Sequence, residues 1–269
     1  INQTDFVENI RSEDKLGQPM VSATWFKDWG MVDLFLMPFF RESTFPGAKG
    51  RPGLPLRIDT GNPVYESSAE DTHFDWAARY SHYFGDIDFG LAWFSGTDRL
   101  ANFVPNEDGS ALLPLYEIVR RASLDAQWTR ESWLWKLESV VRDRADDVSL
   151  GVVGGFEYTF FGVFDSAADI GVLAEYQYDN RVEPIIADND IAMGGRLTLN
   201  DVQDTQLLAF AAVDVDTGGM FTSVEGTRRV GQNWGVSLEG RFFLNTDPED
   251  LLHAFRRDHY LELEVTRYF

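Results

Sequence analysis

The sequence has no cysteine, few basic residues and no long apolar run, and these absences narrow the classes of protein it can belong to. Its 269 residues include 23 Lys and Arg against 44 Asp and Glu, so its formal net charge is −21 and its pI is near 4.4. A phosphate backbone requires a basic surface, so this acidity excludes nucleic acid as a partner. The lack of cysteine fits an oxidising envelope compartment, although many cytosolic proteins also lack it.

A membrane-spanning helix is also excluded. The most apolar stretch, residues 31–40, is interrupted by Asp33 and Pro38, whereas such a helix needs about 18 or more apolar residues in a row. If the chain crosses a membrane, it must therefore cross as strands. The start of the chain lacks the basic and then apolar segments of a secretory signal, so we expect Ile1 to be a processed or truncated end.

The chain instead alternates apolar and polar residues with a period of two. At the C-terminus Leu261, Leu263 and Val265 point one way, and Glu262 and Glu264 point the other, as in a strand with one apolar face. Segments of about ten such residues are the length of a tilted strand that crosses a bilayer. We predict thirteen of these strands, at residues 19–26, 31–40, 74–83, 87–94, 119–130, 132–142, 148–161, 168–178, 191–200, 205–215, 220–230, 234–245 and 259–269.

The connectors between these strands alternate in length, as in bacterial outer-membrane barrels, whose periplasmic turns are short and whose extracellular loops are long. Two short connectors on the long-loop rim, 143–147 and 216–219, depart from the rule. The pattern predicts an all-β fold, a transmembrane antiparallel β-barrel in the outer membrane of a Gram-negative bacterium. The short connectors are 27–30, 84–86, 130–132, 162–167, 201–204 and 231–233, and the long ones are 41–73, 95–118, 179–190 and 246–258.

No Pro- or Ser-rich linker divides the chain. We therefore predict a lead-in on the extracellular side over residues 1–17 and a single barrel domain over residues 18–269. Bacterial barrels have even strand numbers, so an odd count implies either a miscount or further strands before Ile1. We favour the second explanation and expect a closed barrel of about 14 to 16 strands.

The longest connector, residues 41–73, contains several prolines. Loops this long without regular structure are usually functional or disordered. We favour a solvated surface loop. The alternatives are a constriction folded into the pore and a cap over the outer mouth, in which Arg41, Arg51 and Arg57 could face an acidic wall.

A short helix is predicted in the last long connector, over residues 248–257. Acidic residues lie in its first turn and arginines in its last, and Thr246 or Asp247 can cap it. We expect it to pack on the barrel mouth through Leu252 and Phe255.

Parity assigns a set of ionisable residues to the interior of the barrel, with acidic residues in excess. One interpretation is a water-filled lumen that favours cations. The other is a lattice of ion pairs, such as Arg241 with Glu262 or Glu239 with Arg229, that braces the wall and partly plugs it. Besides Asp75, the predicted lumen residues are Asp33, Arg79, Asp88, Arg121, Asp125, Lys136, Glu138, Arg142, Glu157, Glu175, Arg196, Asp214, Glu225, Arg229, Glu239, Arg241, Glu262 and Glu264.

Aromatic residues are placed as lipid-interface residues should be. Amphipathic rings favour the headgroup level and form girdles at both interfaces. Trp76 and Trp93 fall toward the long-loop rim, and the others fall near the short-turn rim. The predicted interface residues are Trp25, Trp29, Trp76, Trp93, Trp128, Trp133, Trp234 and Phe269.

We expect no catalytic residues, no cofactor and no bound metal. Ser81 and His82 are neighbours in a strand and point to opposite faces, so they cannot act together as nucleophile and base. A hydrolase site built from His73 or His259 with Asp71 or Asp258 is a weaker alternative. Calcium at residues 188–190 (DND) and 214–216 (DVD) is conceivable, but the full loop pattern is lacking, and hydrated loops explain these acids better.

Five segments resemble a group of proteobacterial outer-membrane proteins of unknown function. They are 33–42 (DLFLMPFFRE), 44–47 (TFPG), 63–67 (PVYES), 154–159 (GGFEYT) and 263–269 (LEVTRYF). The resemblance covers most of the chain and implies the C-terminal part of a porin-like barrel with no assigned activity. Arg267 departs from the aromatic residue usual at its position, and we expect it to snorkel to the interface.

The sequence therefore predicts a porin-like channel for passive diffusion of small solutes, with a possible cation bias. One alternative is a structural or interaction barrel with a plugged lumen, which binds a partner through its long loops. A second is a transporter of hydrophobic compounds along interior phenylalanines, namely Phe26, Phe35, Phe39, Phe94, Phe210 and Phe243. The expected partners are outer-membrane lipid and lipopolysaccharide, the barrel-assembly machinery at the C-terminal strand, and an unidentified small solute.

Overall fold

The fold is all-β, and its regular structure follows the alternation in the sequence. The computed structural model describes residues 3, 15–45, 47, 56–144, 147–182 and 185–269. In chain order the strands are β1 Val21–Lys27, β2 Gly30–Met37, β3 Arg57–Ile58, β4 Val64–Tyr65, β5 Asp75–Phe84, β6 Ile87–Thr97, β7 Asn102–Pro105, β8 Ala111–Tyr116, β9 Ile118–Arg130, β10 Trp133–Arg144, β11 Asp147–Phe160, β12 Asp169–Asp179, β13 Asn189–Thr198, β14 Gln206–Asp214, β15 Met220–Val230, β16 Trp234–Leu244 and β17 Tyr260–Arg267.

Thirteen of these strands form one antiparallel sheet, and they are the thirteen that the sequence predicts. Their order in the sheet is β1-β2-β5-β6-β9-β10-β11-β12-β13-β14-β15-β16-β17, so each strand pairs with the next long strand in the sequence. Within the described residues no pairing joins β1 to β17. None of the helices there has the length and hydropathy of a membrane-crossing helix.

The other four strands form a small sheet inside the two longest connectors. β3 and β4 run parallel to β8, and β7 pairs with β8 in antiparallel orientation. The rings of Phe40, Tyr65 and Tyr116 pack together, with centroids 4.8 Å apart for Phe40 and Tyr116 and 5.4 Å apart for Tyr65 and Tyr116. The described part of residues 41–73 therefore contains short strands, and its aromatic residues find partners in the next connector, while most of residues 60–72 are exposed.

The helix predicted at residues 248–257 is shorter than expected. It is a 3₁₀ helix, Leu251–Phe255, and its cap is Asp250, whose Oδ1 accepts a hydrogen bond from the Leu252 amide at 2.8 Å. Asp247, one of the two predicted caps, instead accepts from the amide of Glu249. The other, Thr246, lies 3.0 Å from Nδ1 of His253.

The two residues through which this helix was expected to pack both make contacts in the second unit. Leu252 is buried, and the ring of Phe255 stacks on that of Phe243 with centroids 5.5 Å apart. Two further 3₁₀ helices are Glu70–Thr72 and Val163–Asp165.

The chain forms two compact units. The first unit comprises Ile1–Ala126, Ser139–Gly151 and Arg181–Glu183, and the second comprises Gln127–Glu138, Val152–Asn180 and Pro184–Phe269. The core of the first unit consists of Met37, Ala77, Phe94 and Val119, with Phe35 packed against it. At the start of the first unit, the side chain of Gln3 donates to Ser43, and the remaining described residues before Gln18 are Lys15, Leu16 and Gly17.

In each unit the sheet has one face that carries charges and one that is apolar. We call the side of Arg79 and Glu239 the charged face and the other side the apolar face. The apolar face is strongly exposed: Leu261 and Leu263 of the second unit are 68% and 65% accessible. In the first unit Trp25, Leu34 and Leu91 are also exposed there.

Two adjacent glycines of β13 provide a test of the described register. A Cβ added to Gly194 would lie 2.7 Å from the carbonyl oxygen of Ala209 and 2.6 Å from Cβ of Phe210, whereas one added to Gly195 would meet nothing closer than 3.5 Å. We expect Gly194→Ala to lower the free energy of unfolding by about 1–3 kcal/mol, since the crowding involves backbone. Gly195→Ala should leave it unchanged or raise it by up to about 1 kcal/mol, because alanine restricts the unfolded chain.

Chemical denaturation of the two variants, followed by tryptophan fluorescence, measures this difference. Equal stability of the two variants would contradict the pairing of Gly194 with Phe210.

Candidate functional site

The candidate site is the charged face, and the strand registers bring the predicted lumen residues onto it. In the first unit Asp33 lies opposite Arg79, and Asp88 lies opposite Tyr83 on the same face. Arg79 forms a bidentate ion pair with Asp125 at 2.5 and 2.8 Å. This pairing confirms that the two residues share a face.

The second unit carries the larger share of the predicted residues. The registers between successive strands from β12 to β17 place nine of these residues on a single face. Ion pairs add two more residues to this face: Lys136 lies 3.8 Å from Glu175, and Glu157 lies 3.9 Å from Arg196. Glu138 follows Lys136 in β10 at the same parity, and Arg142, which belongs to the first unit, has this parity too. The set placed by the registers is Glu175, Arg196, Asp214, Glu225, Arg229, Glu239, Arg241, Glu262 and Glu264.

The ion pairs around Arg241 differ from those expected. Its guanidinium lies 3.1 Å from Glu239 and 3.6 Å from Glu225, not in the predicted pairing with Glu262. The register explains this, because Glu239 lies directly between Glu225 and Glu262, so three carboxylates stand in a row and Arg241 sits beside two of them. Arg229, the predicted partner of Glu239, lies opposite Gly235 instead.

A network that the sequence did not predict lies in the first unit. We call Asp75, Asp98, Arg99, Glu117, Arg121 and Arg144 the buried ion cluster. Arg99, only 3% exposed, donates to Asp75 at 2.6 Å, and its guanidinium lies 5.0 Å from the ring of Phe40 and 5.3 Å from that of Phe94. Asp75 also accepts from the amide of Thr97 at 2.9 Å.

Asp98 is the second centre of the buried ion cluster. It is buried between Arg121 and Arg144 and accepts from the amide of Leu100 at 2.9 Å. Burial alone would raise the pKa of the Asp98 carboxyl, but the charges of Arg121 and Arg144 and the Leu100 amide outweigh it and hold that pKa below 3.8, its ordinary value. Asp98 is therefore ionised at neutral pH.

The buried ion cluster attaches the small sheet to the charged face. Asp75 and Arg121 belong to long strands, β5 and β9, and Arg144 ends β10. Asp98 and Arg99 belong to the connector that contains β7 and β8, and Glu117, just after β8, lies 3.7 Å from Arg144. Salt bridges thus cross from the connector to the strands at several points.

An apolar patch lies beside the buried ion cluster, where Arg99 contacts Met37 and Phe94. Met37, Ala77, Phe94 and Val119 lie on the charged face and are nevertheless buried, as is Tyr116 of the small sheet. Phe94, one of the predicted interior phenylalanines, is thus part of a packed core.

The interior phenylalanines of the second unit also pack together. The rings of Phe210, Phe221, Phe243 and Phe255 contact one another in sequence, with neighbouring centroids 5.4 to 5.8 Å apart. These phenylalanines contribute packing to the unit.

The arginines of the long connector do not reach an acidic wall in the way proposed for a constriction. Arg41 donates to the carbonyl of Gly17 at 3.1 Å, and Arg57 lies 3.8 Å from Asp59 of its own connector. Arg51 falls outside the described residues.

Aromatic side chains lie at the ends of the strands and are exposed. In the first unit Trp25 lies in β1 near the turn between β1 and β2, and Trp29 lies in that turn. Trp76 and Trp93 lie at the other end of β5 and β6. In the second unit exposed tryptophans lie at the short turns, and the guanidinium of Arg267 lies 5.4 Å from the ring of Trp234 and 4.9 Å from that of Phe269. The exposed tryptophans of the second unit are Trp128, Trp133, Trp135 and Trp234.

The histidines have partners other than those considered for a hydrolase. His73 lies 2.7 Å from Asp75 rather than beside Asp71. His259 accepts from the amide of Phe243 at 3.0 Å, and this contact fixes it to β16.

One group of acidic side chains in the described residues has the spacing of metal ligands. It consists of Asp188, Asp190 and Asp214, whose carboxylate oxygens lie within 4.8 Å of one another. Asp188 and Asp190 lie in one segment of the sequence and Asp214 in another. Only the register between β13 and β14 brings them together.

The buried Arg99 provides a test of the attachment. We expect Arg99→Met to lower the free energy of unfolding by about 3–5 kcal/mol, because it leaves Asp75 charged and buried without its partner. Arg57→Met, an identical change at an arginine that is 67% exposed beside Asp59, should cost less than about 1 kcal/mol. Denaturant unfolding measures both values.

The double variant Asp75→Asn/Arg99→Met controls for loss of packing. It should recover part of the loss, since no lone charge remains buried. A double variant less stable than Arg99→Met would contradict the assigned pairing.

Asp98 gives a pH-dependent test. Its pKa is lowered by folding, so its contribution is complete above the ordinary value of 3.8 and is lost as the pH falls through the lower folded value. We expect Asp98→Asn to be less stable than the natural chain by a constant amount from pH 8 to about pH 5, and the difference to shrink below about pH 4. Unfolding free energies measured across this range would show a difference that does not vary with pH if the carboxylate were unpaired.

Comparison of the chain with protein-family models, with curated proteins and with solved structures gave no match. The function must therefore be argued from the two faces of the sheet and from the contacts on them.

Proposed function

We propose that the chain forms a porin-like β-barrel in the outer membrane of a Gram-negative bacterium and passes small solutes by diffusion. The observation that carries the proposal is the exposed apolar face, on which Leu261 and Leu263 are about two-thirds accessible. Burying a leucine side chain is worth about 1.5–3 kcal/mol, so water is a poor solvent for such a face. Lipid tails would cover it without any further protein layer.

The ends of the strands support the same proposal. Tryptophan, tyrosine and arginine at these ends suit the headgroup level, where one part of a ring is apolar and another is hydrated. In the second unit Trp133, Trp135, Phe156 and Tyr158 cluster beside the short turn between β9 and β10. The strands of the main sheet contain 7 to 14 residues, which suits a tilted crossing.

The charged face would line the solute pathway. Its acidic residues outnumber its basic ones, and several of them remain exposed, among them Asp88 and Glu138. Carboxylates along a pore favour cations, so we expect a modest preference for cations. This proposal assigns no catalytic activity to the chain.

The small sheet would form the narrow part of the pathway. The connector that contains β7 and β8 is attached to the charged face by the buried ion cluster, in which Arg99 also contacts Met37 and Phe94. A connector held on this face by several salt bridges reduces the free cross-section and adds charged walls. The constriction is therefore the small sheet, with Arg99 as its anchor, whereas Arg41 and Arg57 have other partners.

The remaining expectations belong to the same proposal. Closure needs further strands before β1, which would give about 14 to 16 in total, because barrels of this class have even numbers and no free edge. The partners would be outer-membrane lipid and lipopolysaccharide, and the barrel-assembly machinery would act on β17. The resemblance to porin-like proteins of unknown function agrees with this assignment.

A second candidate function is a plugged barrel that acts as a structural or interaction protein. The buried ion cluster favours it, because a small sheet fixed so firmly can close the pathway as well as narrow it. Ion pairs such as Arg241 with Glu239 brace the wall in either case. Electrical conductance separates the two functions.

Single-channel recording in planar bilayers tests the proposal. We expect stepwise currents and, in a KCl gradient, a reversal potential that indicates preference for K⁺. The double variant Asp88→Asn/Glu138→Gln should shift the reversal potential toward zero, because it removes two exposed carboxylates from the charged face.

Asp143→Asn is the matched control. Asp143 has the opposite parity to Arg142 in β10 and lies 3.8 Å from Arg120 on the apolar face, so its removal should leave the reversal potential unchanged. Absence of current from folded protein would contradict the channel and favour the plugged barrel. An equal shift in both variants would contradict the charged face as the pathway.

A further inference from the structure

Three carboxylates meet at the long-connector end of the second unit. Asp190 lies at the start of β13, directly opposite Asp214 at the end of β14, and Asp188 precedes β13 by one residue. One oxygen of each lies within 4.8 Å of the others. Like charges directly opposite in a sheet destabilise it, so this arrangement needs a compensating charge.

Burial of two of these carboxylates increases the need for a compensating positive charge. Asp190 is only 6% exposed and Asp214 only 5%. Oδ2 of Asp190 is buried and accepts no hydrogen bond from the described part of the chain. An ionised oxygen in that state has lost its water and has gained nothing in return.

A fourth carboxylate adds to the repulsion. The charge of Asp250, the cap of the 3₁₀ helix, acts on Asp190. Oδ2 of Asp250 is likewise buried without a partner among the described residues, whereas its Oδ1 caps Leu252. Two neighbouring carboxylates thus each keep one oxygen available.

The surrounding backbone holds the group in place. Oδ1 of Asp214 accepts from the amides of Asp216 and Thr217 at 2.7 and 2.6 Å. Asn189 donates through its side chain to Asp216 at 2.8 Å and accepts at its backbone carbonyl from the amide of Val215 at 2.8 Å. The turn after β14 is therefore tied to the start of β13, so the carboxylates cannot separate freely.

We propose that Asp188, Asp190 and Asp214 form a binding site for a divalent cation, with Ca²⁺ as the preferred ion. Carboxylate oxygens are the ligands that hard cations prefer, and Ca²⁺ accepts six to eight of them in flexible geometry. Two oxygens bound to one Ca²⁺ at about 2.4 Å lie at most about 4.8 Å apart, so the limit on the spacing suits this ion. Mg²⁺ demands shorter bonds and near-ideal octahedral geometry, which favours it less here.

Calcium titration of the full, purified chain after treatment with EDTA tests the proposal. Isothermal titration with CaCl₂ should show one site with a Kd of about 10⁻⁴–10⁻³ M, the range of extracellular calcium modules, and saturating Ca²⁺ should raise the Tm. Asp190→Asn and Asp214→Asn should each weaken binding at least tenfold. Asp86→Asn, in the exposed turn between β5 and β6, should bind as the natural chain does.

Stability in EDTA distinguishes loss of the site from loss of the fold. Without Ca²⁺, Asp190→Asn should have a Tm equal to or above that of the natural chain, because it removes a buried like charge. A lower Tm in EDTA would overturn the proposal, since the carboxylate would then be stabilising without an ion. Absence of Ca²⁺ binding by the natural chain up to about 10 mM, beyond the weakest extracellular sites, would also overturn it.

Discussion

A β-strand sends successive side chains to opposite sides, and this constraint determines where every other feature of the protein can lie. The alternation in β16 and β17 places Leu261 and Leu263 on one face and Glu239, Arg241 and Glu262 on the other. A shift of one residue in any register would exchange the two faces. The exposed apolar face and the charged face are thus two consequences of one pattern, and any environment that suits one must be different from the environment that suits the other.

A charged side chain on the charged face can be buried only when a partner group compensates for its lost hydration. Arg99 satisfies this condition through Asp75 and the rings of Phe40 and Phe94, and Asp98 does so through Arg121 and Arg144. Such pairs are costly to break singly, although they contribute little net stability compared with well-packed apolar groups. Their physical role is to fix the position of the connector that contains β7 and β8.

The thirteen long strands could be predicted because their alternation is local, and nearest-neighbour pairing follows from short turns. The small sheet could not, since β3 and β4 have only two residues each and pair in parallel with β8, about 50 residues away in the sequence. Parity correctly placed Arg79 and Asp125 on one face but did not identify ion partners. Partners depend on the stagger between strands, so Arg241 contacts Glu225 and Glu239 and departs from the predicted pairing with Glu262.

The acidic group of Asp188, Asp190 and Asp214 also depends on contacts between strands that the sequence alone does not predict. Residues 188–190 and 214–216 each have the composition of a hydrated loop, and neither has a complete calcium motif. Only the pairing of β13 with β14 sets Asp190 against Asp214 and removes both from water. A sheet that served only to present hydrated loops would gain stability from Asn or Ser at position 190. A shared cation would supply the positive charge that this buried carboxylate, with one oxygen lacking a protein donor in the described residues, needs in order to stay ionised.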